Sequence, residues 1–345
     1  MKRMLILFLL LSYIGIPASG LELTAPTVPD SGRQWMPENQ DSFSDGLLEL
    51  VGNLLSRLVP EGREAFRISG KLLCAILLLS VLQSVSGPAK GACELAQILT
   101  VCTVLMGQTN AMIVLGMETV EEITSYGKLL LPVMTGAMAA QGNVATSAVL
   151  YAGTAMFTAA LSGCIAAVLI PGVKLYLAVS MVSCATGEEL LKRMAEFLKS
   201  TIGWVLKTLI MVFTTYLSIS GVVSGTTDAA ALKAAKVTIS TVVPVVGGIL
   251  SDASEAVLVS ASIAKNAAGI YGILAVLAVF LQPFARLLAH YLVLKLTGAF
   301  TTVFGSRAAG LIDAFSTAMG FLLAMTGGCC VMVLVSTVCF LRSVQ

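Results

Sequence analysis

The sequence predicts an all-α, polytopic integral membrane protein. It has roughly seven to nine spanning or re-entrant helices at about 20 apolar residues per span, an internal repeat, and amphipathic interfacial helices. Three observations carry that prediction: an apolar excess that water cannot accommodate, an export signal at the N-terminus, and apolar stretches interrupted by Pro and Gly. Of the 345 residues, 57% are hydrophobic and 12% charged, with mean hydropathy +0.92. A soluble domain is about a quarter charged, and one this apolar could not cover its surface with polar groups. Lipid is therefore a partner. The net charge of +2 and the lack of a basic stripe give nucleic acid no foothold.

Residues 1–20 read as a signal peptide. Lys2 and Arg3 form the positive end, Leu5 to Ile16 the apolar core, and Ala18-Ser19-Gly20 the small cleavage residues. The rival reading is a retained first membrane helix; the short core and Pro17 favour cleavage near Leu21. Residues 21–70 form an extracytoplasmic linker and an amphipathic helix. Pro26, Pro29 and Pro37 predict a loose stretch to residue 42. Phe43, Leu47, Leu50, Val51, Leu54, Leu55 and Leu58 then fall on one helical face, with Asp45, Glu49, Asn53 and Arg57 opposite. Such a helix lies in the membrane interface, packs on a partner, or covers the protein's own membrane domain.

Residues 71–345 are the polytopic domain. Stretches 72–88, 95–117, 144–170, 201–223, 267–283 and 314–340 are long enough to span. Shorter ones at 129–141, 173–185, 237–250 and 253–264 suggest re-entrant or broken helices. Residues 187–199 predict a second amphipathic helix, with Leu190, Leu191, Met194, Phe197 and Leu198 on one face. Glu188–Lys192 and Glu189–Arg193 can pair on the other. Charge bias puts the Lys90 loop inside and an acidic loop with Glu118, Glu121 and Glu122 outside. The eight cysteines sit in or beside apolar runs without a CxxC pair, so they read as packing residues.

Two segments echo each other, with halves at about 125–223 and 237–340. Leu131-Pro132-Val133 recurs as Val243-Pro244-Val245, followed by Gly247 and Gly248, 112 positions later. Pro171-Gly172-Val173-Lys174-Leu175 recurs as Pro283-Phe284-Ala285-Arg286-Leu287 at the same offset. Phe197 with Ser200-Thr201 and Gly203 echoes Phe315-Ser316-Thr317 and Gly320 at shifted offsets. Pro132, Pro171, Pro244, Gly247, Gly248 and Pro283 are the candidate helix breaks or hinges. Repeats with broken helices are the layout of transporters, whose pathway lies at the repeat interface. The sequence leaves open whether these repeats are parallel or inverted.

Polar residues at membrane depth cluster in one segment. Ser251, Glu255, Ser262 and Asn266 share a helical face, flanked by Asp252 and Lys265. The stripe suits a hydrophilic path, hydrogen bonding between packed helices, or an interfacial loop. Lys174 and Arg286, at matching repeat positions, suit snorkelling to headgroups. Lys207 lies within an apolar span and needs a partner or a route to the interface. His290, the single histidine, suits packing better than metal ligation. P-loop, HExxH, GxSxG and dinucleotide fingerprints are missing from the sequence, so no enzyme, cofactor or metal is expected.

Val243-Pro244-Val245-Val246-Gly247-Gly248, then Ser251-Asp252, Glu255 and Lys265-Asn266-Ala267-Ala268-Gly269 with Gly272, resembles the signature of the stage III sporulation protein AE family. Leu131-Pro132-Val133, the signal peptide and Gln282-Pro283 fit the same pattern. The resemblance extends from about residue 45 to the end and is most specific over 236–300. It implies a mother-cell membrane protein facing the forespore in endospore-forming bacteria. It also implies partners: other stage III A operon membrane proteins, including a secretion-type ATPase and ring-forming subunits, and a forespore membrane protein. The expected role is to form or line the conduit of that transenvelope complex, in support of forespore development and late forespore transcription. The alternatives are a non-conducting scaffold of the same complex and a freestanding small-solute transporter.

Overall fold

A computed structural model describes residues 26–37, 43–85, 90–140, 144–219, 267–303 and 308–343. Nearly all of these residues are helical, with no strand among them. A short helix α1 (Asp30–Arg33) precedes α2 (Phe43–Val85) and α3 (Lys90–Ala140). Next come α4 (Val144–Cys164), a π turn (Ile165–Leu169), α5 (Ile170–Thr186) and α6 (Glu189–Ile219). A final pair, α7 (Ala267–Thr302) and α8 (Ala308–Ser343), completes the described chain. Among the described residues, six helices are long and apolar enough to cross a membrane, α4, the π turn and α5 together supplying one.

Several sequence boundaries dissolve in longer helices. The amphipathic segment at 43–58 and the apolar stretch from residue 72 are one helix, α2, which runs through Pro60. The short stretch at 129–141 is largely the end of α3, which continues past Pro132, and Glu118, Glu121 and Glu122 lie within α3 rather than in a loop. The second amphipathic segment continues from Glu189 into the span after residue 201 as α6. There Glu189 pairs with Lys192 at 3.8 Å, one turn away, in place of the expected spacing of four. Helix α7 likewise runs through Pro283. Pro132 and Pro283 thus stand inside continuous helices. Neighbouring helices at membrane depth tolerate the single backbone bond that each proline removes.

Pro171 has a different local solution. It lacks the N–H that would bond to the Ala167 carbonyl, and the backbone widens there into the π turn. Ile170 N–H then reaches Ile165 O, and the helix resumes as α5. Chain direction reverses at Gly187, whose φ of 73° is left-handed and whose N–H bonds to Ser183 O at 2.8 Å. Only glycine takes that conformation freely.

Helix α8 occupies the centre. Nearly every residue from Ala308 to Phe340 is buried, including Phe315, Phe321 and Phe340. Helices α7, α3, α5, α4 and α6 surround it. Glycines set the close approaches: Gly116 against Leu322 and Thr326, Gly127 against Val333, Gly203 against Phe321, and Gly328 against Ile210. These pairs ascend together, so α3 and α6 run parallel to α8. Short connections make α5 antiparallel to α6, and α7 antiparallel to α8. Two of the three sequence echoes therefore lie on helices of matching direction, α5 with α7 and α6 with α8, and the third has its second member outside the described residues.

Residues 26–37 are held tightly rather than loosely. Val28 and Trp35 are buried, and Gly32 sits so close to α7 that a Cβ there would lie 2.6 Å from Val279 Cγ2.

Candidate functional site

The predicted stripe of Ser251, Asp252, Glu255, Ser262, Lys265 and Asn266 lies outside the described residues, as do Pro244, Gly247 and Gly248. Among the described residues, α7 carries a regular row of large polar side chains. Gln282, Arg286 and His290 recur every four residues, so they share one face of a helix otherwise packed with buried apolar side chains. Each rung meets a different element.

At the first rung, Trp35 Nε1 donates to Gln282 Oε1 at 3.2 Å. One turn along, Arg286 Nε stands 3.7 Å from Glu61 Oε2 of α2. That separation is an ion pair but too long for a hydrogen bond, and both atoms are buried without a hydrogen-bond partner. At the third rung, the Gln108 amide nitrogen of α3 lies 3.2 Å from Nε2 of the buried His290. Beyond it the face closes on itself. Thr297 donates to Val293 O and Thr301 to Thr297 O, both at 2.7 Å. These hydroxyls are satisfied within their own helix.

The seam thus joins α1, α2 and α3 to α7. Secondary contacts brace it: Ser31 donates to Glu122 at 2.6 Å, and the Gln97 amide to Ser80 Oγ at 2.9 Å. Removing Gln108 would strand the buried His290 at low dielectric, which costs more than the bond contributes. The Glu61–Arg286 pair differs from the other rungs. Its two facing atoms, Arg286 Nε and Glu61 Oε2, pair by charge without a hydrogen bond.

The expectations for single residues divide here. His290 packs, with Gln108 as its partner. Arg286, expected to snorkel, faces Glu61 instead. Lys174 and Lys207 point out of the bundle. The spacing of Gln282, Arg286 and His290 was open to view in the sequence. Their partners were not, because Glu61, Gln108 and Trp35 lie far away along the chain. Of the cysteines, Cys93, Cys329, Cys330 and Cys339 are buried, and Cys74 is exposed.

Comparison with known proteins places this architecture. The family described as Stage III sporulation protein AE matches residues 34–343. The protein of that name from Bacillus subtilis (strain 168) is 26% identical over 183 residues, 53% of this chain and 46% of the relative. The aligned part therefore spans less than half of that relative's length. No solved structure matches. With six apolar helices able to cross a membrane and a family match over most of its length, the chain belongs to the stage III sporulation protein AE family.

Proposed function

We propose that this chain is the non-enzymatic, multi-pass membrane component of the mother-cell-to-forespore transenvelope complex. It would sit in the mother-cell membrane facing the forespore, its N-terminal region extracytoplasmic after signal cleavage. Its partners would be the other stage III A operon membrane proteins, among them a secretion-type ATPase and ring-forming subunits, and a forespore membrane protein. Family membership supports the sporulation role. The conduit reading rests on one observation: polar rungs at membrane depth on α7, including an ion pair whose facing atoms lack hydrogen bonds. Intramembrane charges are costly and mark pathways or packing. Because side chains of α8 fill the bundle's axis, the conduit surface is assigned to the α2–α3–α7 seam, and the 251–266 stripe, outside the described residues, is a separate candidate read from the sequence alone. The shared direction of α5 with α7 and of α6 with α8 suits a parallel duplication of the two halves.

A second reading, a non-conducting scaffold, is favoured by that same filled centre. The test is a deletion strain complemented with Glu61→Leu/Arg286→Met or His290→Leu/Gln108→Leu. Late forespore reporter activity and co-purification of the partners are scored together. The conduit reading expects activity to fall at least tenfold while the partners still co-purify. Joint loss of both would establish the scaffold, and full activity would reduce the seam to packing. Normal forespore development in the deletion itself would remove the sporulation role.

A further inference from the structure

The outer surface of the bundle carries charges at a depth where lipid does not tolerate them. Three contacts fix that depth against α8. Gly116 of α3 faces Leu322 and Thr326, Gly203 of α6 faces Phe321, and Tyr176 of α5 meets the Phe321 ring edge-on at 6.2 Å. Glu118 follows Gly116 by two residues, Lys174 precedes Tyr176 by two on an antiparallel helix, and Lys207 lies about one turn beyond Gly203. All three therefore stand at the height of about residues 322–326 of α8. All are exposed, and none has a hydrogen-bond or ion-pair partner among the described residues. Glu121, also exposed, sits one turn past Glu118 on the same outward stripe of α3.

That height is the midpoint of the apolar span Ala308–Phe340, whose 33 residues extend about 50 Å at 1.5 Å per residue. A hydrocarbon slab about 30 Å thick lying anywhere within that length contains its midpoint. A charged side chain there costs about 2.5–3.5 kcal/mol on insertion scales. Lysine stems can bend toward headgroups, but the shorter Glu118 side chain has little such reach. The signs are also segregated. The α3 face is acidic at this height, and the α5–α6 face is basic. Lys128 interrupts the acidic stripe only two turns further along.

Copies of a membrane protein insert in one orientation and to one depth. Side-by-side association about an axis along the membrane normal therefore brings the acidic face of one copy level with the basic face of the next. We propose that the chain associates with further copies of itself through this head-to-tail contact. Glu118 and Glu121 of one copy dock against Lys174 and Lys207 of its neighbour. Such a heterologous interface closes into a ring when its rotation allows. It neutralises at hydrocarbon depth the charges that each copy leaves unpaired, whatever the α7 seam conducts.

The test uses the full-length chain in lipid nanodiscs and in mild detergent, with particle mass measured by light scattering. The expected wild-type particle is an oligomer. Glu118→Lys/Glu121→Lys and Lys174→Glu/Lys207→Glu are each expected to be monomeric. An equimolar mixture of the two should re-form oligomers, since each variant then presents faces complementary to the other. Should either reversal fail to accumulate, the neutral pair Glu118→Gln/Lys207→Gln should raise the dissociation constant at least tenfold. A monomeric wild type, its charges served by lipid headgroups or by a different protein, overturns the proposal. So do variants that retain the wild-type mass, or a mixture that stays monomeric while its components are folded.

Discussion

Arg286 of α7 and Glu61 of α2 face each other at 3.7 Å, close enough to pair and too far apart to hydrogen-bond. Both side chains are partly exposed, at 40% and 27%, so the pair lies between a screened surface bridge and a buried one. Truncating either partner alone leaves the other charge facing α2 or α7 uncompensated. Each of Glu61→Leu and Arg286→Met should cost about 1–2 kcal/mol, between the surface and buried limits. The double variant should cost less than the two singles combined. Thermal unfolding in detergent measures the cycle, and strict additivity would show that the two charges do not interact.

The N-terminal clasp predicts a spectroscopic result. Trp35 is buried and bonded to Gln282, whereas Trp204, the other tryptophan, is 67% exposed. In a Trp204→Phe background, emission should be blue-shifted and poorly quenched by an aqueous quencher. Gly32→Ala, whose Cβ would press on Val279, should release the clasp and shift the emission to the red. An unchanged spectrum would mean that the segment accommodates the methyl group in place.

Gly153 and Tyr216 should be strongly coupled. A Cβ on Gly153 would overlap the Tyr216 hydroxyl, which donates to Val149 O at 3.0 Å. Gly153→Ala should destabilise the wild type by about 1–3 kcal/mol, as overpacking does. In a Tyr216→Ala background the same substitution should be nearly neutral. Equal costs in both backgrounds would place the clash elsewhere.

Thiol labelling distinguishes the centre from the rim. Cys74 is exposed on α2, and Cys329 and Cys330 lie at 1% exposure in α8. A membrane-permeant maleimide should modify Cys74 at least tenfold faster than either α8 thiol, as read by peptide mass spectrometry. Comparable rates would mean that α8 is not enclosed.

Much of this protein was legible along the chain. Apolar run length marks spanning helices because the bilayer sets a minimum number of residues. A spacing of four put Gln282, Arg286 and His290 on one face because helical geometry is local. The breaks were misplaced for an equally physical reason. A proline in a helix interior costs about 3 kcal/mol, but packing of a long helix against its neighbours outweighs one such term, and Pro132 and Pro283 stand inside continuous helices.

The sequence by itself determined the solvent of this protein, its helical class and the positions of its polar rungs, since each follows from composition or a helical period. Only the tertiary structure decided which helix is enclosed, which partners the rungs meet, and which of the long helices run in the same direction. Those facts depend on contacts between residues far apart in the chain, such as Glu61 with Arg286 and Gln108 with His290. No local pattern specifies such pairings; they emerge only when the long helices pack against α8.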